Sequence, residues 1–456
     1  MDIFTMDPDE ELTSEKLKEF LDLHAARIPR YTKLMNMYKG DHPILHGDGK
    51  EMGKPDNRLV VNFAKYIVDT LNGYFIGNPV KTVHENKKVA DKMKEIAKRN
   101  SQNDNNAELS KMCSIYGHAY EFLYQDEEAN TRVTYLQPHE AFVIYDNTIA
   151  REPLYGVRVL KDADGRSFGT IYSREDERDF YTTDESELII AEDVADHFFG
   201  DVPLIEYVEN EERQSAFENV ETLINAYDKA LSEKANDVDY FADAYLSILG
   251  VDLDEDKLGK IRDHRIINLK DGDGKNIVVE FLDKPNADTT QENLINRLEK
   301  LIFQISMVAN ISDENFGTSS GIALKYKLQP MENIALMKER KFNNGMIRRF
   351  KMMFSIPTNF GVDREEYLNI DYIFTRNIPN NIVEEAETAE KLSGIASRRT
   401  QLSVLSVVDN VQDELDQIEK EKEESEINSF NRDMRSSFSG NGVMDDAQEE
   451  SGELDG

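Results

Sequence analysis

The stretch "ETLINAYDKALSEKANDVDYFADAYLSILG", residues 221–250, carries one helical period and then stops abruptly. Extended back to Phe217, its apolar residues Phe217, Val220, Ile224, Tyr227, Leu231, Ala235, Val238, Phe241 and Tyr245 fall on one stripe. The opposite face holds Glu218, Glu221, Asp228, Asp237 and Asp239. A compact β-rich insert follows: Arg265 to Leu269, a turn at Lys270-Asp271-Gly272-Asp273-Gly274, Ile277 to Leu282, and a closing Pro285. A second long helix is predicted from Thr289, with a Thr-x-x-Glu capping box to Glu292, through Ile295, Leu298, Leu301, Ile302, Ile305 and Val308. The order helix, β insert, helix is the frame on which the rest is placed.

Downstream lies "ENFGTSSGIALKYK", residues 314–327, and then a helical segment from about Gly321 to Phe354. Pro330 inside it removes a backbone donor and predicts a kink. A strand pattern at Tyr367 to Phe374 leads through Ile378-Pro379 to a charged helical region, 381–427. The final thirty or so residues, poor in large apolar groups, are expected to be disordered. Upstream, helical spacing covers 14–39 and Leu59 to Phe75, and two more patterns occupy 86–118. From Ala119 the period becomes two, with a hairpin signal at Asp164-Gly165, until Asp201-Val202-Pro203. The fold class expected is α+β, mainly helical. There is no internal repeat.

Gly317-Thr318-Ser319-Ser320-Gly321 fits the G-x-S-x-G pattern of a hydrolase nucleophile elbow. That elbow needs a buried strand before the serine, whereas Ser319 follows an amphipathic helix, so a flexible inter-helix loop is the better reading. None of the eight histidines has a spacing that nominates a catalytic partner. The acidic turns lack the full calcium-loop pattern, and Pro43 argues against a helical His42/His46 metal pair. No Gly-Lys pair opens a phosphate-binding loop, so no metal, cofactor or catalytic residue is expected. Basic residues gather at Lys325, Lys327, Lys338, Arg340, Lys341, Arg348, Arg349 and Lys351. Among them Lys338, Arg340, Lys341, Arg348 and Arg349 are candidates for a subunit interface against an otherwise acidic surface.

The 456 residues hold 89 Asp+Glu against 54 Lys+Arg, a net charge of −35 and a pI near 4.6. Such a balance disfavours a general nucleic-acid binder, which neutralises phosphates with clustered cations. Cys113 is the single cysteine, which excludes an intrachain disulfide. The N-terminus lacks a signal-peptide pattern, and no apolar run reaches the ~18 residues of a membrane span.

Three strings carry a family likeness: "PDNRLVVNFAKYIVDTLNGYFIGNPV" (55–80), "YGHAYEFLY" (116–124) and the 221–250 stretch. They resemble portal proteins of long-tailed bacteriophages of Gram-positive hosts, and with the element order the resemblance extends over about residues 20–425. It implies a dodecameric ring at the unique capsid vertex, with a central channel for double-stranded DNA. The implied regions are an N-terminal arm (1–24), a wing (25–216), stem helices (217–246 and 287–311), a clip (247–286) and a channel loop (312–321). A kinked wing helix (322–356), a return strand (357–380), a crown (381–427) and an acidic tail (428–456) complete it.

The implied partners are further copies of the chain, the terminase large subunit, major capsid and scaffolding proteins, and a head-completion or adaptor protein, without a membrane. The implied location is the virion vertex, after assembly in the host cytoplasm. Sliding DNA needs walls that do not hold it, so the acidic face of 217–245 becomes a channel-wall candidate. In the loop, Ser312, Asp313, Glu314, Asn315, Phe316, Gly317, Thr318, Ser319, Ser320 and Gly321 are the DNA-side candidates. The alternatives are another phage ring or adaptor protein, or a serine hydrolase using Ser319.

Overall fold

Pro29 divides the first helical pattern. It sits in the opening turn of a new helix, where its missing N–H costs nothing, so residues 14–39 form α1 (Ser14–Ala25) and α2 (Ile28–Lys39) rather than one rod. Thr13 caps α1 by accepting from Lys16 N, and Gly40 ends α2 at a positive φ. The computed structural model describes residues 3–51, 54–242, 246–249, 278–281, 288–311, 321–378, 382–405, 407–408 and 411–439. The chain divides into two units, residues 1–377 and 378–456.

In the first unit, β1 (Phe4–Met6) precedes α1. After α2 come α3 (Phe63–Ile76), β2 (Lys81–Val83), α4 (Lys87–Arg99) and α5 (Gln102–Tyr116). The helix expected from Leu59 begins instead at Phe63, where Asn62 accepts from Lys65 N. The change of period at Ala119 marks a real change of structure. Strands β3 (His118–Gln125), β4 (Thr131–Leu136), β5 (Ala141–Asp146), β6 (Pro153–Lys161) and β7 (Ser167–Tyr172) follow, with β6 and β7 as the expected antiparallel hairpin. Sequence patterning did not resolve β8 (Asp176–Thr182), β9 (Leu188–Ile190), β10 (Ala195–Asp196) or β11 (Leu204–Val208), which are short or lack clean alternation.

The larger sheet runs β1-β5-β6-β7-β8-β10, with β9 on β8 and β1 parallel to β5. A smaller sheet runs β11-β3-β4. Leu17, Phe20 and Leu21 of α1 bury against Phe4, Phe142, Ile144, Val157 and Leu204, and the Phe4 and Phe142 rings meet edge-on at 5.1 Å. Gly117 turns α5 into β3 at a φ of +91°, where a Cβ would strike the Arg213 carbonyl.

Next come α6 (Glu221–Ala242), entered through a 3₁₀ turn at Glu218–Val220, then β12 (Leu246–Leu249), β13 (Val278–Phe281) and α7 (Asp288–Ser306). The expected capping box is not made: α7 already includes Thr289, and Glu292 pairs with Lys234 of α6. Of the β insert, Arg265 to Leu269, the turn at 270–274, Ile277, Leu282 and Pro285 lie outside the described residues. The long helix α8 (Gly321–Ser355) keeps Pro330 within its span. Tyr207 of β11 occupies the space a Cβ at Gly345 would need, so α8 approaches the smaller sheet through a glycine.

A short α9 (Pro357–Phe360) and a 3₁₀ turn (Arg364–Asn369) lead to β14 (Asp371–Ile373), which pairs antiparallel with β2. The strand expected over Tyr367 to Phe374 is thus confined to three residues. The second unit contains α10 (Ile382–Lys391), α11 (Arg398–Ser403) and α12 (Val411–Ser439). Helix α12 continues past residue 427 into the segment expected to be disordered, while 440–456 lie outside the described residues.

Candidate functional site

Polar contacts fix α6 and α7 as an antiparallel pair. Asn219 Nδ2 donates to the Ile305 carbonyl (3.4 Å), Gln291 Nε2 donates to Asp237 Oδ2 (2.7 Å), and Lys234 pairs with Glu292. The strands continue the same register, with Leu246 opposite Phe281 and Leu249 opposite Val278. Ile224 of α6 is buried, as are Ile295, Leu298 and Ile302 of α7. The 22 residues of α6 rise ~33 Å, and the helix pair is followed in the chain by a two-stranded ribbon.

The acidic face of α6 is more occupied than its sequence suggested. Glu218 forms a two-pronged pair with Arg30 of α2 (2.8 and 2.5 Å), and Glu221 pairs with Lys33 (2.7 Å). Burial opposes the charge of Glu218, but the Arg30 guanidinium outweighs it and holds the carboxyl below its usual range. Asp228 requires a correction: it is completely buried and faces no channel. Its Oδ2 lies 2.5 Å from His42 Nδ1, His42 Nε2 lies 3.1 Å from Met37 O, and Asp228 Oδ1 accepts from Val61 N (2.9 Å).

That last contact belongs to a ladder. The extended segment before α3 lies along α6, with Asn57 N donating to Asn236 Oδ1 (2.6 Å), Leu59 N to Ser232 Oγ (2.9 Å) and Val61 N to Asp228. Two residues of extended chain span ~6.6 Å and four residues of helix ~6.0 Å, so alternate amides meet successive turns. Asn57 Nδ2 also donates to Asp239 Oδ2 (2.5 Å). This strap was not anticipated. Its sequence signal was an Asn/Asp-punctuated extended run, residues 56–62, facing a polar stripe at helical spacing.

Residues 312–320, including Ser319, lie outside the described residues. Gly321 is the first residue of α8. The approach to the loop is pinned: Ile311 N donates to Tyr66 Oη (2.8 Å), which donates to Ala309 O (3.1 Å), while Phe303 packs edge-on against Phe63 and Tyr66. Among the described residues no group of three or more His, Cys, Asp and Glu is placed to hold a metal. No helix among them is long and apolar enough to cross a membrane.

The family model for phage portal proteins, SPP1 Gp6-like, matches residues 17–427, a span that takes in the helix pair, the ribbon and the loop. The chain belongs to this portal protein family. A portal protein of Clostridium phage phiCD119 is 24% identical over 413 residues, covering 84% of this chain and 90% of that protein. The portal protein of Bacillus phage SPP1 is 22% identical over 381 residues, covering 77% and 73% respectively.

Within this portal family member the basic residues of α8 separate by burial. Lys338 and Arg349 are corrections, because both are buried inside the chain and cannot meet a neighbour. Lys338 Nζ pairs with Glu209 (2.6 Å) and donates to Ser114 Oγ (2.5 Å). Arg349 grips Glu121 with Nε and Nη2 (2.7 and 2.6 Å), and Tyr207 Oη donates to the same carboxylate (3.0 Å). Burial works against the Arg349 charge, yet Glu121 outweighs it and raises the pKa. Arg348 reaches Asp201 (2.6 Å), Lys341 pairs with Glu211, and Arg340 is exposed. Cys113 is buried, which pushes its thiol up.

Proposed function

We propose that the chain assembles as a dodecameric ring at one capsid vertex and that double-stranded DNA enters and leaves through its centre. The observation that carries this reading is the family match across residues 17–427, which spans the antiparallel α6–α7 pair and the segment between α7 and α8. Residues 217–246 and 287–311 act as the stem, 247–286 as the clip, and 381–427 as the crown. The loop 312–321 faces DNA through Asp313, Glu314, Asn315 and Phe316.

A ring repeats each contact many times, so attractive contacts to phosphate would stall the polymer. A net charge of −35 per chain and an acidic loop keep the wall repulsive. The Arg30 and Lys33 pairings neutralise Glu218 and Glu221, which takes both out of the stem's repulsive charge. Arg340, Lys341 and Arg348 serve at subunit boundaries. The clip end receives terminase and later a head-completion protein, and the wing meets major capsid and scaffolding proteins. No catalytic residue is assigned.

Native mass spectrometry with top-view electron microscopy of the purified chain tests the assembly. A closed ring with an axial channel is expected, and a monomer under every condition would overturn it. A reconstructed ring with 312–321 on its outer surface would remove the loop from its role.

A further inference from the structure

Phe198 is exposed on a backbone that bulky residues avoid. The residue is 71% accessible, and its φ of +62° lies in the left-handed region. The neighbours hold it there. Ala195 and Asp196 pair with Glu177 and Asp176 in the β10–β8 ladder. His197 Nδ1 accepts from Phe199 N–H (3.3 Å), which leaves the Nε2 hydrogen for Ser173 O (3.1 Å), and Phe199 itself is buried. An aromatic ring is therefore clamped in the open at a conformational cost, a combination that accumulates at ligand contacts.

Phe198 lines a groove of about 670 Å³. Phe122, Tyr124, Tyr172, Ile356 and Pro357 form its apolar walls. The charged lining is one-sided, with Asp126, Glu127, Glu177 and Asp196 against Arg364. Its volume suits a few large side chains, and its rim selects cations beside them. The position is also informative. Ser355, at the end of α8, lines the groove, whereas Gly321, at the start of α8, follows the channel-loop segment. The 35 residues between those ends rise about 50 Å.

We propose that this groove binds a peptide segment of a shell-side assembly protein, one that presents a large apolar side chain beside a Lys or Arg. The outward position rests on the portal reading, which puts the start of α8 at the channel and the groove at the ring's outside. The acidic rim turns DNA away and draws in a basic segment. Phe198 closes over the apolar anchor, and the carboxylates of Glu177 and Asp196 pair with the neighbouring cation.

A yeast-displayed random dodecapeptide library sorted on the purified full chain tests the groove. Enriched peptides are expected to carry Phe, Leu or Met within two positions of Lys or Arg. Their retention should drop about tenfold or more on Phe198→Gly and on the Glu177→Lys/Asp196→Lys pair. Phe198→Gly also relieves the left-handed φ, so its Tm should rise; a residue serving only the fold would lower it. No enrichment, an acidic consensus, or equal retention by both variants overturns the proposal. Native mass spectrometry of the same preparations separates the two readings. Rings without enrichment sink the groove alone, and enrichment without rings sinks the ring while upholding peptide recognition.

Discussion

Asp228 illustrates how one carboxylate changes meaning once its surroundings are known. By helical spacing it belongs to the polar face of α6, but the His42 imidazole and the Val61 amide enclose it completely. Removing this buried acceptor strands the His42 ring and the Val61 amide, so Asp228→Ala should cost about 2–5 kcal/mol in urea unfolding. His42→Ala/Asp228→Ala together should cost less than the sum of the single changes, since the stranding penalty is then counted once. Two other histidines set a pH response. Burial is the main reason His24 and His118 fall from 6.5 to about 4, so both are neutral in the folded chain at pH 6. As pH drops from 6.5 towards 4, the unfolded chain takes up protons that the folded chain refuses, so stability declines. The full contribution is present above pH 6.5, and up to ~3 kcal/mol per histidine is lost by pH 4. Urea midpoints at pH 7.5 and 5.0 check this, and an unchanged midpoint would show that these rings are already solvated.

At the level of elements, the strap over residues 57–61 joins α6 to α3 by hydrogen bonds rather than by apolar burial. None of residues 54–62 is buried, and the amides of Asn57, Leu59 and Val61 depend on side-chain acceptors of α6. Such a segment opens below the global unfolding limit. Hydrogen exchange should find these amides protected in the native chain, and Ser232→Ala with Asn236→Ala should speed exchange at 59 and 57 while leaving α3 slow. Equally faster exchange in the strap, α3 and α6 of the variant would mean that the strap opens only with the whole unit. The helices themselves were legible because apolar spacing at 3.6 residues survives in α1 to α5, α6 and α7. Their ends were less so, since Pro29 reset one helix and Asn62 delayed another. Short strands such as β8 to β11 draw their stability from cross-strand neighbours, which a local pattern does not contain.

For the whole molecule, deleting residues 312–321 and joining the helices with a short Gly/Ser linker should leave ring formation intact and impair DNA retention or movement. Packaging assays on rings of normal mass provide the check, and wild-type packaging by such rings would remove the loop from function. The sequence alone determined the alternation of helix, β insert and helix, the acidic balance, the absence of a disulfide framework and the portal likeness that the family match bears out. These are properties of local period, composition and string, and they survive without coordinates. Only the tertiary structure decided which charges remain available. Lys338 and Arg349 left the interface candidates because Glu209 and Glu121, distant in sequence, meet them in the interior. Asp228 left the channel wall because a strap 167 residues earlier lies across it. Charge on a helix face is written in sequence, whereas its exposure depends on which distant segment packs against that face, and that is a property of the folded chain alone.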